Sequence, residues 1–187
     1  FVTFGCFGSG SKINDDVIAI WTRILHRVPG SRIYIRNNEL TPNDNRQFML
    51  ARFRRHAITP ERICLDGGAT RTEVVRSYAQ VDVSLDTWPY CGGNTVAESL
   101  WQGVPVVTLK GERFSSRYGA SLLLAAGCRE LIGDTADRYV DVAVALAQAP
   151  ERLDHYRTNL RSMAREHGLS DADGFARSLY PTSFAGE

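Results

Sequence analysis

The chain has 187 residues and a formal net charge of +1 at pH 7, with 43% hydrophobic and 23% charged residues. This length suits one well-cored globular domain and is too short for two large ones. The small net charge gives no electrostatic basis for binding nucleic acid or a membrane surface, so neither is an expected partner, and no apolar run is long enough to span a bilayer.

Short apolar runs alternate with helical patterns along the whole chain. The runs predict strands at residues 1–7, 31–36, 62–65, 81–85 and 104–109, with a very short sixth strand at 130–132. The helical patterns lie at 14–28, 41–56, 70–80, a short segment opened by Asn94, a segment ending at Gly127, 134 to Pro150, 151–167 and 170–180. This alternation is typical of α/β proteins.

Strands separated by helices predict a doubly wound parallel sheet with helices on both faces and extra helices at the C-terminal end. We place the main domain at residues 1–168 and expect residues 169–187 to form a helix and tail that pack on it. In such sheets ligands bind beyond the carboxyl ends of the strands. The loops at 8–12, 67–71 and 90–98 each follow a strand, so we expect them to converge at one edge.

The glycine turn after the fourth strand is the most informative stretch. Gly92 and Gly93 permit a tight turn and a close approach by a ligand. Asn94 and Thr95 then open a helix whose N-terminal N–H groups favour an anionic phosphate. Glu98 lies one turn further on the same helix face. A carboxylate beside an anion site suits a nucleotide, because the ribose of a nucleotide carries neighbouring hydroxyls.

The first loop comes close to a phosphate-binding P-loop without matching it. Gly5 and Gly10 have the P-loop spacing, but Ser11 separates Gly10 from Lys12. The lysine is therefore displaced from the P-loop position, and Ile13 occupies the place of the third glycine in the dinucleotide pattern. We predict that Lys12 contacts a phosphate or nucleotide in another geometry, and a P-loop hydrolase is a distant alternative.

Several polar and aromatic side chains are assigned structural roles. Asp86 is interpreted as a cap or brace for the loop after the fourth strand. Trp101 lies on an apolar helix face and is a predicted core residue. Arg52, Arg54 and Arg55 are predicted to form a solvated helix end. Phe48 is predicted to be a partial apolar anchor of the same helix.

The four cysteines are Cys6, Cys64, Cys91 and Cys128. They form no CxxC pair and have no histidine at zinc-ligand spacing. Each lies in or beside an apolar segment, so we expect buried, reduced thiols and a cytoplasmic protein. The chain begins inside a strand pattern without a start methionine, which predicts a piece of a larger protein.

Taken together, these motifs resemble the donor-binding, C-terminal half of a GT-B glycosyltransferase. The resemblance is stronger to the protein O-linked N-acetylglucosamine transferases and the plant Spindly-type enzymes, and it covers about the first 165 residues. The segments that carry it include VDVSLDT at 81–87, GGNTVAESLW at 92–101, GVPVVT at 103–108 and GCRELI at 127–132.

The resemblance implies a UDP-sugar donor and inverting transfer of a sugar, N-acetylglucosamine, to serine or threonine hydroxyls of a protein. No metal or other cofactor is implied. Lys12 would contact the diphosphate and stabilise the leaving nucleotide. Asn94 and Thr95 would bind phosphate, and Glu98 would hold the ribose hydroxyls.

The resemblance also implies a base-reading role for the backbone at Ala69, with Arg71 beside it. Ser9 stands where the family has a glutamine near the lysine. The predicted set is catalytic Lys12 with substrate-binding Ser9, Ala69, Arg71, Gly92, Gly93, Asn94, Thr95 and Glu98.

The family also has tandem helical (tetratricopeptide) repeats and an N-terminal catalytic half, and neither is in this chain. The protein acceptor would bind those parts, so we expect this chain alone to bind nucleotide and to catalyse poorly. Two alternatives stay open at this point. One is a GT-B enzyme with a glycan or small-molecule acceptor, and the other is a non-catalytic α/β interaction module that retains the fold.

Overall fold

The computed structural model describes residues 1–179, without the side chains of residues 175, 178 and 179. Six parallel strands form one sheet in the order β3-β2-β1-β4-β5-β6. The strands are β1 (Thr3–Cys6), β2 (Arg32–Arg36), β3 (Ile63–Asp66), β4 (Val83–Leu85), β5 (Val106–Leu109) and β6 (Ile132–Gly133). The predicted doubly wound parallel sheet is confirmed.

Eight helices flank this sheet in the described part of the chain. They are α1 (Asp15–Arg27), α2 (Asn43–Arg54), α3 (Arg71–Ser77), α4 (Asn94–Trp101), α5 (Tyr118–Ala125), α6 (Ala136–Ala147), α7 (Pro150–Glu166) and α8 (Ala172–Leu179). None of the helices within residues 1–179 combines the length and the apolar character that crossing a membrane requires. We expected residues 169–187 to pack on the domain as a helix and tail, and residues 180–187 of that segment lie outside the described residues.

Helix α1 shows how local sequence sets these elements. The Asn14 side chain accepts a hydrogen bond from the Val17 N–H at 2.8 Å and so caps the helix. Asp15 in the first turn and Arg27 in the last turn suit the helix dipole. Trp21, at the centre of the buried stripe, is 1% exposed. This amphipathic helix therefore covers one face of the sheet.

The strand order places a ligand crevice at the centre of the sheet. β1 pairs with β2 on one side and with β4 on the other, so the direction of strand succession reverses between β1 and β4. Loops that leave the carboxyl ends of these two strands turn to opposite faces of the sheet. A crevice opens between them, and doubly wound folds bind ligands at this point.

Two sequence predictions about α2 were wrong. Arg52 is 8% exposed, and its guanidinium donates to Asp15 Oδ1 at 2.8 Å and to the Ile13 carbonyl at 2.7 Å. The end of α2 packs against the start of α1, so this arginine is not part of a solvated helix end. Phe48 is 61% exposed and does not anchor the helix, because it lies on the outer face.

Three further predictions need correction. Trp101 is 37% exposed, with the guanidinium carbons of Arg161 and Arg165 each 5.1 Å from its ring centroid, so it is not a core residue. Cys64 is exposed, because β3 is an edge strand, whereas Cys6, Cys91 and Cys128 are buried as predicted. The sixth strand begins at Ile132, two residues later than predicted, because residues 129–131 form a 3-10 turn.

Candidate functional site

The three loops predicted to converge do so at the carboxyl edge of the sheet. Lys12, in the loop after β1, donates through Nζ to the carbonyl of Cys91 at 3.2 Å. Arg71, at the start of α3, donates to Glu98 Oε1 on α4 at 2.6 Å. Residues far apart in sequence thus meet in one place, because the ends of parallel strands lie together.

A cleft of about 320 Å³, here named the central cleft, opens at this edge. Its size lies at the lower end of the range for small-molecule sites. The residues that line it are Phe7, Ser9, Arg36, Asn37, Asn38, Glu39, Gly67, Ala69, Val74, Thr95 and Glu98. Four predicted substrate-binding residues therefore share one cavity, and the other predicted residues lie on the loops around it.

The turn before α4 has the geometry of an anion site. The Gly92 N–H points inward and donates to Asp86 Oδ1 at 2.7 Å. Within residues 1–179, the next N–H groups, of Gly93, Asn94 and Thr95, have no protein acceptor. They lie at the N-terminus of α4, where the helix dipole favours an anion.

The two glycines of this turn have different roles. A Cβ on Gly92 would lie 2.4 Å from Thr95 Oγ1, so glycine is needed there to close the turn. Because the Gly92 N–H is already bonded to Asp86, this residue shapes the turn and offers no donor to a ligand. A Cβ on Gly93 would meet nothing within 4 Å, which places Gly93 on the open side of the turn.

Lys12 is held at the rim of the turn formed by residues 92–95, here named the anion turn. Besides its bond to the Cys91 carbonyl, its Nζ lies 4.1 Å from the centroid of the Tyr90 ring, at cation–π distance. The preceding loop is stabilised by the Ser9 hydroxyl, which donates to Glu39 Oε1 at 2.6 Å and lowers the pKa of that carboxyl. The positive charge therefore lies beside the unpaired N–H groups.

Glu98 has both carboxylate oxygens engaged. Oε1 accepts from Arg71, and Oε2 accepts from the Tyr78 hydroxyl at 3.3 Å. The Arg71 side chain is 69% exposed and that of Glu98 is 26% exposed, so the ion pair lies at the mouth of the cleft. Tyr78 stacks on Phe7 with ring centroids 3.8 Å apart. A ligand diol that binds Glu98 must displace or share the arginine.

Asp86 braces the loop after β4, as predicted. Its carboxylate accepts from the N–H groups of Thr87 and Gly92 and from the Thr108 hydroxyl. Burial raises the pKa of Asp86 to about 6, although these hydrogen bonds and the charge of Lys12 act to lower it. At neutral pH a buried carboxylate therefore lies behind the anion turn.

Sequence reasoning missed the segment that follows β2. Asn37, Asn38 and Glu39 line the central cleft, and Asn37 Nδ2 donates to the Gly8 carbonyl at 3.2 Å. Asn37 Oδ1 is buried without a hydrogen-bond partner in the described chain. The available signal was position, since residues that follow any strand of a parallel sheet reach the same edge.

Within the described residues, no group of three or more histidine, cysteine, aspartate or glutamate side chains is arranged to hold a metal ion. The charged side chains in and around the cleft are those of Lys12, Arg36, Arg71, Glu39 and Glu98, and backbone N–H groups add uncharged donors. This arrangement can bind an anionic, hydroxyl-bearing ligand such as a nucleotide.

Comparisons with known proteins identify the family and the fold. The model of glycosyl transferase family 41 matches residues 1–179. The probable UDP-N-acetylglucosamine–peptide N-acetylglucosaminyltransferase SPINDLY of Petunia hybrida is 35% identical over 183 residues, which cover 97% of this chain and 20% of that protein. The UDP-N-acetylglucosamine–peptide N-acetylglucosaminyltransferase of Caenorhabditis elegans is 32% identical over 180 residues, covering 95% of this chain and 15% of that protein.

Superposition on solved structures shows the same fold. A mutant of the Thermobaculum terrenum O-GlcNAc transferase superposes with a TM-score of 0.90 at 35% identity, over 96% of this chain and 34% of that one. Anabaena HepE, solved with UDP and glucose, has a TM-score of 0.64 at 15% identity over 95% of this chain and 47% of that one, which shows a shared fold. This chain spans a fifth or less of the length of the two curated relatives described above. It belongs to glycosyl transferase family 41.

Proposed function

We propose that this chain binds the donor of an inverting glycosyltransferase that moves N-acetylglucosamine from UDP to serine or threonine hydroxyls of proteins. The observation that carries the proposal is that three groups lie together at the central cleft and its rim. They are the unpaired N–H groups before α4, the Lys12 ammonium and the Glu98 carboxylate. The names of the relatives from Petunia hybrida and Caenorhabditis elegans support the donor and the acceptor class.

Each part of the donor has a matching group in this proposal. The diphosphate binds the N–H groups of Gly93, Asn94 and Thr95. Glu98 accepts hydrogen bonds from the ribose hydroxyls once Arg71 has moved aside. The base lies further along the central cleft, beside the backbone at Ala69 and the hydroxyl of Ser9.

Lys12 acts on the leaving group. The acceptor hydroxyl oxygen attacks the anomeric carbon of the sugar from the face opposite the diphosphate. The bond from this carbon to the phosphate oxygen breaks, and the hydroxyl proton passes to a base. UDP leaves with one more negative charge, which the Lys12 ammonium and the α4 N-terminus stabilise. The proposal assigns no metal and no cofactor.

In this proposal the protein acceptor binds outside this chain, since the relatives extend well beyond the matched segment. The four cysteines are free thiols, which suits the reducing cytoplasm proposed as the setting. A chain with only the donor site is expected to bind nucleotide and to transfer sugar slowly.

Titration calorimetry of this chain with UDP, GDP, ADP and uridine tests the donor site. UDP is expected to bind more tightly than uridine, because the diphosphate adds the contacts to the anion turn. The absence of heat with every nucleotide at millimolar concentration would refute the donor site and favour a non-catalytic module. Radiolabelled transfer by the parent protein to peptides rather than glycans tests the acceptor class.

A further inference from the structure

A carboxylate lies buried directly behind the proposed phosphate site. Asp86 Oδ1 accepts from the Gly92 N–H at 2.7 Å and from the Thr87 N–H at 2.9 Å. Oδ2 accepts from the Thr108 hydroxyl at 2.7 Å. The first of these bonds fixes the orientation of a peptide group in the anion turn itself.

The position of Asp86 is determined from several sides of the fold. The Tyr139 hydroxyl on α6 donates to the Asp86 carbonyl at 2.9 Å. At the start of α5, a Cβ on Gly119 would lie 2.4 Å from Asp86 Oδ2 and 2.6 Å from Thr108 Oγ1. The Asp86 side chain is therefore confined to one position. The anion turn that it holds is fixed relative to β4, β5, α5 and α6.

Hydrogen bonding alone does not require a charged group at this place. An amide could accept from the Thr87 and Gly92 N–H groups through its oxygen, and the Thr108 hydroxyl could reverse and accept from the amide nitrogen. Burying an ionised carboxylate costs more free energy than burying an amide. Hydrogen bonding therefore does not explain why a charged side chain occupies this place. The positive charge near Asp86 is that of Lys12, which favours a carboxylate over an amide.

We propose that Asp86 is a positioning residue for donor binding. Its carboxylate turns the Gly92 N–H inward, so that the N–H groups of the next residues face the diphosphate. Its charge also attracts the Lys12 ammonium, which rests on the carbonyl of Cys91, one residue before Gly92. This role rests on the proposed function, because it requires that the anion turn binds the diphosphate.

The test compares wild type with Asp86→Asn in two titrations, one with UDP-N-acetylglucosamine and one with uridine. This sugar nucleotide is chosen because its diphosphate is esterified at both ends and keeps its charge near neutral pH. Asp86→Asn is expected to bind it roughly tenfold more weakly than wild type, since charge-assisted hydrogen bonds are stronger than neutral ones. Uridine lacks the diphosphate, so its affinity is expected to be unchanged.

A pH series on wild type tests the same proposal without a variant. The sugar-nucleotide affinity is expected to fall severalfold between pH 8 and pH 5.5 as the Asp86 carboxyl takes up a proton, and to stay flat in Asp86→Asn. The titratable groups that face Asp86 are Lys12, Cys6, Cys91 and Tyr139. Burial raises the pKa of both thiols and of the tyrosine, so these three stay neutral across this range.

Asp82→Asn is the matched control, because it makes the same substitution at the opposite end of β4, where the Asp82 carboxylate accepts from the Thr3 N–H at 2.8 Å and does not touch the anion turn. It is expected to leave the affinity ratio of sugar nucleotide to uridine unchanged. Sugar-nucleotide binding in Asp86→Asn that equals or exceeds wild type overturns the proposal, and so does a parallel loss for uridine. An equal change in Asp82→Asn, or a wild-type affinity that does not vary with pH, also overturns it. If wild type binds no sugar nucleotide at all, the proposed function fails instead.

Discussion

The two sides of the central cleft are built in different ways. The side to which the proposed function assigns the diphosphate, here named the phosphate side, stands on β4 and β5. There Asp86 and Thr108 are buried, and hydrogen bonds join them to each other and Asp86 to the anion turn. The side to which the proposed function assigns the base, here named the base side, stands on β2 and β3, where Glu39 and Arg71 are exposed and make their contacts at the surface.

This difference suits the two parts of the sugar nucleotide that the cleft is proposed to bind. A diphosphate is common to many sugar nucleotides, so the part that binds it can be rigid and tied to the core. Bases differ between donors, and loops attached by exposed polar contacts can change sequence with little effect on the core. The comparison predicts that substitutions on the phosphate side alter folding and binding together, whereas substitutions on the base side alter binding alone.

The largest expected effect is that of Gly119→Ala, on the phosphate side. The new methyl group would overlap Asp86 Oδ2 and Thr108 Oγ1, so the free energy of unfolding should fall by about 3 kcal/mol. Urea denaturation followed by circular dichroism measures this. Gly8→Ala is the control in the first loop, because its Cβ would meet neighbours at 3.6 Å or more, and a loss within about 0.5 kcal/mol is expected. Equal losses would contradict the comparison.

Lys12→Ala should have the next largest effect, on affinity rather than stability. The lysine side chain is bonded only at the rim of the turn, so its removal should weaken UDP binding roughly 10- to 100-fold and leave uridine binding nearly unchanged. The other lysine, Lys110, lines a separate cleft beside Trp88, and Lys110→Ala provides the matched control. Equal loss of UDP and uridine affinity in Lys12→Ala would contradict its assignment to the diphosphate.

The pH dependence of the free energy of unfolding should also distinguish the buried phosphate side from the exposed base side. The pKa of Asp86 is about 6 in the folded protein and near 3.9 in an unfolded chain, so the folded state binds this proton more tightly. Stability from this group should therefore increase by about 1 kcal/mol as pH falls from 7 to 5. Asp86→Asn should lack this increase. An identical pH dependence in both proteins would show that Asp86 does not titrate there.

The same pH range should affect stability and donor binding in opposite directions. Protonation of Asp86 removes a buried charge and stabilises the fold, but it also weakens the acceptor that orients the anion turn. The pKa values of the exposed side chains Glu39, Glu61 and Glu73 are lowered. These groups therefore change the stability of the fold at pH values below the range in which Asp86 titrates. A protein that becomes more stable and binds its donor less well at pH 5.5 would be the expected result.

The smallest expected effect is that of Arg71→Gln, on the base side. This exposed ion pair with Glu98 is screened by solvent, so the thermal midpoint should not change measurably. Arg52→Gln is the contrasting variant, because Arg52 is buried and bonded to Asp15 and the Ile13 carbonyl, and its loss should lower the midpoint. A larger drop in Arg71→Gln than in Arg52→Gln would contradict the weak coupling of this exposed ion pair to the stability of the fold.

Features set by neighbouring residues could be predicted from the sequence. The Asn14 cap depends on Val17, three residues away, and the Gly92–Thr95 turn depends on residues within one helix turn. The parallel sheet, though not its strand order, followed from the alternation of strands and helices, and parallel strands were enough to bring the Lys12 loop to the turn.

Features set by distant contacts could not be predicted in the same way. The burial of Arg52 requires Ile13, 39 positions earlier, and nothing near Arg52 in sequence indicates it. The bracing role of Asp86 was foreseen, but its partner Thr108 lies 22 positions later on a different strand. Glu39 was missed because it contacts Ser9 across the cleft rather than any neighbour in a motif.

The central position of β1 also bears on how the chain is made. β1 pairs with β2 on one edge, but its partner on the other edge, β4, begins at Val83. At about 5–20 residues per second, the ribosome needs roughly 4–15 s to add the intervening segment. During that interval the strand that carries the first glycine loop has an unpaired apolar edge, which is the kind of surface on which nascent chains aggregate or recruit chaperones.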